Sequence, residues 1–335
     1  MTSEVQQSVD APAPAGKPRN ATIDGLKYLA AAGIVLHHVA ANPGGRIATF
    51  LMVAPLWSLF FFFAVSGYFH GETGGRGGRW LLRRITRLGV PYALWSLILV
   101  AWSQREVLQG APFALPEITN VVFLAGAHGI LWSLPMLIYF AIAVEILARN
   151  ALMRRLLLGL CIALTVALYW SPLWETVATH PLANFLLAPR WLVAYLAGME
   201  VRASRLRPAP RSLLWLAPAA MVAVGLLRLG SSLLDPRVHT TLETTLWIGT
   251  ALAILWGARN GLAWFGVDRL AWGRDYLIGV YVTHILWLQF FFAIVPSWKV
   301  TSIVWVPLMW AAVLGAATLT VWLLRSNRVT RVMVA

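Results

Sequence analysis

Charge is scarce in this chain, acidic charge scarcest of all. Charged residues make up 12% of the 335, and Asp and Glu number 13 against 27 Lys and Arg. Soluble domains carry roughly 25% charged residues, so a water-covered globule is excluded. Cysteine is nearly missing too: Cys161 stands alone within an apolar segment, which rules out an intramolecular disulfide and a Cys-based metal site. No metal is expected from any other residue pattern. The first twenty residues, MTSEVQQSVDAPAPAGKPRN, lack the apolar run of a secretory signal and read as a disordered polar tail. There is no repeat of fixed period. The longest polar pieces, near 71–87 and 105–129, are too short for an independent core. The glycines of GETGGRGGR at 71–79 lack the strand context of a dinucleotide motif and read as a turn.

What is abundant is apolar length. Hydrophobic residues reach 59% and the mean hydropathy is +0.70, the composition of a polytopic membrane protein. Apolar segments fall near 24–40, 50–70, 88–104, 130–148, 154–170, 184–201, 212–229, 243–258, 276–295 and 303–324. The expected fold class is therefore all-α, with about ten transmembrane helices in one domain over 21–325 and a short basic tail at 326–335. An even number of spans puts both termini on one side. On the opposite side the loops hold Arg46, Arg105, Arg237 and Lys299, while Lys27, Arg190 and Arg228 lie within segments. All other Lys and Arg share the side of the termini, which the positive-inside rule assigns to the cytoplasm. The net charge of +14 is thus mostly topology, with the lipid bilayer as partner and no nucleic acid.

The first segment, TIDGLKYLAAAGIVLHH, carries a polar seam that a bilayer tolerates only against protein or a water-filled site. On a helix Asp24 pairs with Lys27 at i, i+3. His38 lies near the Lys27 face, about 16 Å further along the axis, and His37 is turned about 100° away. A histidine near the outer end can take a proton from a hydroxyl approaching from outside, or can simply face headgroups. His37 is given the second role. In the second segment Ser66-Gly67 permits close approach of a helix or of a ligand. Arg83, Arg84 and Arg87 stand at the inner mouth of the third, as a topogenic signal or as a phosphate clamp. Other intramembrane polar groups are Glu145, read as snorkelling or paired with arginine, Arg190, facing substrate or a buried carboxylate, Arg228, read as interfacial, and His284.

Several of these stretches resemble acyltransferase family 3 membrane proteins. DGLKYLAAAGIVLHH is similar to the family's opening helix with its Arg, ten residues, His motif. SLFFFFAVSGYF is similar to its Phe-rich Ser-Gly helix, and RRITRLGVPYALW to its basic segment before a Pro-aromatic helix start. GILWSLPMLIYF, LVAYLAGMEV and GVYVTHILWLQ resemble its Leu-Trp-x-Leu, Gly-Met and Tyr-x-x-His segments. The matches run in family order over roughly 22–290, without a fused hydrolase domain. One departure is plain: the family's arginine is Lys27, which keeps the charge and loses the planar fork.

The resemblance implies a multi-pass protein of the bacterial cytoplasmic (inner) membrane. It implies transfer of an acyl group, usually acetyl, from cytoplasmic acyl-CoA to a hydroxyl of an extracytoplasmic glycan or lipid-linked glycan. His38 is then the general base, supported by Lys27 and Asp24. Arg83, Arg84 and Arg87, with Ser66, would hold the donor. Arg190, His284, Trp132 and Glu145 are candidates for substrate contact or support, and Trp132 and Ser133 for stabilising the oxyanion. The alternatives of acetyl, succinyl or a longer acyl group, and of direct transfer or an acyl-enzyme, stay open. A secondary transporter or flippase for a glycan-related molecule is the competing class, although no matched pair of interrupted segments marks one.

Overall fold

The computed structural model describes residues 20–41, 45–73, 78–103, 131–180, 182–204, 210–230, 233–262, 266–294 and 304–334. Much of the expected N-terminal tail, the centre of the Gly-rich turn and the 105–129 stretch lie outside them.

Among the described residues the fold is all-helical, with no strand. The principal helices are α1 (Ala21–Ala40), α2 (Arg46–Val53), α3 (Trp57–Thr73), α4 (Gly78–Ser103), α5 (Ser133–Leu147), α6 (Ala151–Tyr169), α7 (Ala188–Ala203), α8 (Leu213–Leu229), α9 (Pro236–Arg259), α10 (Leu277–Ile294) and α11 (Trp305–Ser326). A short 3₁₀ turn joins α2 to α3, and a longer one, Val267–Tyr276, leads into α10. Among the described residues, four stretches are long and apolar enough by length and composition to cross a membrane: Arg46–Gly71, Ala151–Tyr169, Val267–Ile294 and Trp305–Ser326.

Helix α1 is central. It opens cleanly, because the Asn20 side chain accepts from the Ile23 amide at 3.0 Å and donates to the Ala258 carbonyl at 2.8 Å. Ile23, Leu26 and Ala30 join a core shared with α3, α5, α7 and α9. Tyr28, Ala31, Ile34, Val35 and Val39 join a second core with α4, α10 and α11. Only a helix buried on both sides can serve two cores. This is why small residues fill its middle and why its polar residues meet protein.

Within a bilayer the lipid is as apolar as leucine, so helices associate through close packing. Helices α3 and α7 show this at its tightest. A Cβ on Gly67 would stand 1.8 Å from the Tyr195 carbonyl oxygen, and one on Gly198 would stand 1.9 Å from that of Ala64. Ser66-Gly67 therefore acts as a helix contact, with Ser66 half-buried beside it. The C-terminal stretch, expected as a short basic tail, packs back on the helices. The Trp95 indole donates to the Met333 carbonyl at 2.9 Å, and Val334 is buried.

Candidate functional site

The last turn of α1 presents both histidines to a cavity of about 490 Å³. Trp132, Arg190, Arg228, Glu243 and Tyr281 share its lining, with Trp174, Trp191 and Trp247 among its aromatic walls. These residues come from α1, α7, α8 and α9, from the residue that precedes α5 and from a short helix at Trp174–Thr179, with Tyr281 reaching in from α10. The His38 ring stacks on that of His284 with centroids 5.4 Å apart and planes at 26°. His284 is fully buried and its Nδ1 donates to the Val280 carbonyl at 3.2 Å. His284 is therefore a fixed platform behind His38.

His37 also lines the cavity, a position the sequence reading did not give it. Its Nδ1 donates to the Met52 carbonyl at 2.7 Å, and its ring meets His38 edge-on at 4.9 Å. Ser133 and Tyr281 form a buried pair in which the serine hydroxyl donates to the tyrosine oxygen at 2.7 Å. Ser133 thus stands behind the cavity and Tyr281 in its wall.

Arg190 sits over the Trp191 ring, 4.3 Å from the guanidinium carbon to the centroid. Its polar contact is Asn184 Oδ1, at 3.4 Å from Nη2. Arg228, expected at the interface, stands 3.6 Å from Glu243, and the ring of His239 reaches the same carboxylate at 3.7 Å.

A second polar cluster gathers near the first turns of α1. Lys27 meets Asp24 at 2.8 Å, Arg274 approaches the other Asp24 oxygen at 3.4 Å, and Lys27 sits over the Phe69 ring at 4.3 Å. Arg87 is within electrostatic reach of Lys27. One turn earlier on α4, Arg84 lies between the Trp80 and Tyr195 rings at 5.4 and 5.7 Å. His70 bridges Tyr195 at 2.7 Å and Glu145 at 3.0 Å. Glu145 therefore finds a histidine partner in place of the expected arginine or headgroup region. Arg83 is exposed.

The two clusters are separated along α1 by the eleven residues from Lys27 to His38, about 16 Å of helix rise. The structure brings His38, Trp132 and Arg190 into one cavity, with His284 and Ser133 directly behind it. Lys27, Asp24, Arg83, Arg84, Arg87, Ser66 and Glu145 stand apart from them. Sequence reasoning met Tyr281 only as the first residue of the Tyr-x-x-His segment and gave it no role, although it is three residues before His284 and shares its helix face. It also passed over Glu243, an acid at the mouth of an apolar segment. His70 and Tyr195 are 125 residues apart, and no local pattern announces such a pair.

A family model described as an acyltransferase domain, that of acyltransferase family 3, matches residues 20–325. The chain belongs to acyltransferase family 3. No curated protein and no solved structure matches it. Membership makes this a membrane acyltransferase by family, and the match covers all of α1 to α10 and nearly all of α11. Within the family frame the lysine at 27 retains its ion pair to Asp24, a contact that needs charge and reach more than a forked guanidinium.

Proposed function

We propose that this protein is an integral membrane O-acyltransferase. It moves an acyl group, with acetyl the first expectation, from cytoplasmic acyl-CoA to a hydroxyl of an extracytoplasmic glycan or lipid-linked glycan. The carrying observation is the division of polar groups along α1: histidines in a cavity at one end, arginines gathered at the other. In this reading about ten helices cross the cytoplasmic membrane, both termini are cytoplasmic, and the cavity opens outward.

Arg84 and Arg87, with exposed Arg83 at the mouth, hold the donor's phosphates by charge-assisted hydrogen bonds. The thioester arm passes Ser66 toward the cavity. His38 takes the acceptor hydroxyl proton as its oxygen attacks the thioester carbonyl, and His284 keeps the ring in plane. The Tyr281 hydroxyl and the Trp132 indole are the donors for the developing oxyanion. Asp24 and Lys27 hold the lower half of α1 in register. Collapse of the tetrahedral intermediate releases coenzyme A thiolate, which takes the proton from His38.

The test is coenzyme A release by purified protein in lipid vesicles, with and without extracted surface glycan, and mass spectrometry of that glycan. Glycan-dependent thiol release with a matching mass gain is expected. Movement of unmodified glycan without thioester cleavage would identify a transporter instead.

A further inference from the structure

The charges around the cavity do not cancel. Among the described residues its lining holds two arginines, Arg190 and Arg228, and one carboxylate, Glu243. Glu243 is engaged by Arg228 and by His239, which is buried. Arg190 has no carboxylate partner among the described residues; its polar contact there is the amide oxygen of Asn184. The guanidinium also rests on an aromatic ring. Trp191 beneath it is buried and packed against Phe60 at 4.5 Å and Trp132 at 5.1 Å. A cation held in a low-dielectric setting without a counter-ion is unfavourable unless water or a ligand completes it. A guanidinium fork with no carboxylate partner among the described residues suits bidentate capture of an oxyanion.

The remaining lining describes what carries that anion. Trp132, Trp174, Trp191 and Trp247 supply flat apolar surfaces, and Asn184, Thr240 and Thr244 supply amide and hydroxyl groups. Flat faces beside neutral hydrogen-bonding groups suit a pyranose, whose C–H face packs on indole while its hydroxyls are hydrogen-bonded. The volume of about 490 Å³ falls in the range of small-molecule sites and has room for a sugar unit with its substituent.

We infer that the cavity recognises an acidic sugar unit, one bearing a carboxylate or phosphate that Arg190 binds while a hydroxyl of the same unit meets His38. This rests on the acyl-transfer reading for the identity of the attacking group, but the anion preference itself is a binding property. Glu243 limits the alternatives, since its pairing with Arg228 leaves one cationic position and hence room for one anionic group.

Equilibrium binding tests it without requiring turnover. The purified full-length protein is titrated with methyl glycosides of the gluco, galacto and manno series. Each series includes the neutral sugar, its uronate and its 6-phosphate. At least one anionic probe is expected to bind ten-fold or more tighter than its neutral parent, more weakly as salt is raised. Arg190→Gln should erase that preference, and Arg190→Lys should recover part of it with a poorer fit to the planar carboxylate. The uronate and phosphate arms separate the two sources of anion. Equal affinity across every pair, absence of anion binding, or a preference that survives Arg190→Gln would overturn the inference. Thiol release from acyl-CoA is followed in parallel. Glycan-dependent release with no anion preference would leave the acyl-transfer reading standing, whereas anion binding without thioester cleavage would remove that reading and keep the site.

Discussion

A histidine acts as a base only when its ring is held and its reacting nitrogen is accessible. His38 meets the first condition through the buried His284 ring at 5.4 Å and the second by lining the cavity. General bases contribute about 10²–10⁴-fold, so His38→Ala and His38→Gln should reduce acyl transfer by that order with donor binding preserved. His37 lies on the same cavity but is tied to the Met52 carbonyl, so His37→Ala should keep the rate within about ten-fold, well short of the loss a missing base causes. Acyl transfer at matched membrane abundance decides between them; a well-folded His37 variant that is inactive would exchange their roles. Lys27 belongs to the other cluster. Lys27→Arg should remain active because the Asp24 contact tolerates either cation. Lys27→Ala should destabilise by less than the roughly 3–5 kcal/mol typical of stripping a buried charge of its partner, since Arg274 remains 3.4 Å from Asp24. Acyl transfer measures the first and thermal unfolding in detergent the second. A Lys27→Arg variant that loses activity would show that the ammonium itself is required.

At the scale of elements, the contact between α3 and α7 is the most restrictive. Gly67 and Gly198 let two backbones touch, and any side chain there must push carbonyl oxygens aside. Gly67→Val should therefore cost more than the roughly 1–3 kcal/mol usual for overpacking, with loss of detergent-stable protein. A stable, active Gly67→Val variant would mean that α3 and α7 do not approach this closely. The same contact brings His70 of α3 against Tyr195 of α7, which in turn backs Arg84. Arg84 is thus set by three elements, and a double Arg84→Gln, Arg87→Gln variant should insert normally but bind acyl-CoA at least ten-fold more weakly, as charge-assisted phosphate contacts require. Unchanged donor affinity in correctly inserted protein would reduce the pair to a topology signal. The sequence marked the Ser-Gly step and the arginine run, because both are local. It could not show that His70 answers Glu145 from 75 residues away, since spacing along a chain says nothing about which helices are neighbours.

For the whole molecule, topology is the open quantity most easily measured. Cys161 is the one cysteine and is buried, so single cysteines introduced in a Cys161→Ser background give a clean reporter. Positions 46 and 237 should react with a membrane-impermeant thiol reagent from outside, and 149 and 211 only after permeabilisation, as the basic-residue bias requires. The reverse pattern would turn the cavity toward the cytoplasm and remove the extracytoplasmic acceptor. Composition and hydropathy by themselves determined the helical class and the membrane setting, because a chain this poor in charge has no other stable environment. Helical periodicity determined the Asp24–Lys27 pair, because three residues of one helix bring its ends within reach. The order of short motifs was sufficient for the family. Tertiary structure alone decided that His38 and Arg190 face one cavity while Lys27 does not. It alone decided that Tyr281 and not Ser133 lines the wall, and that Glu243 is already neutralised by Arg228. These are relations between helices, fixed by how two cores close around α1.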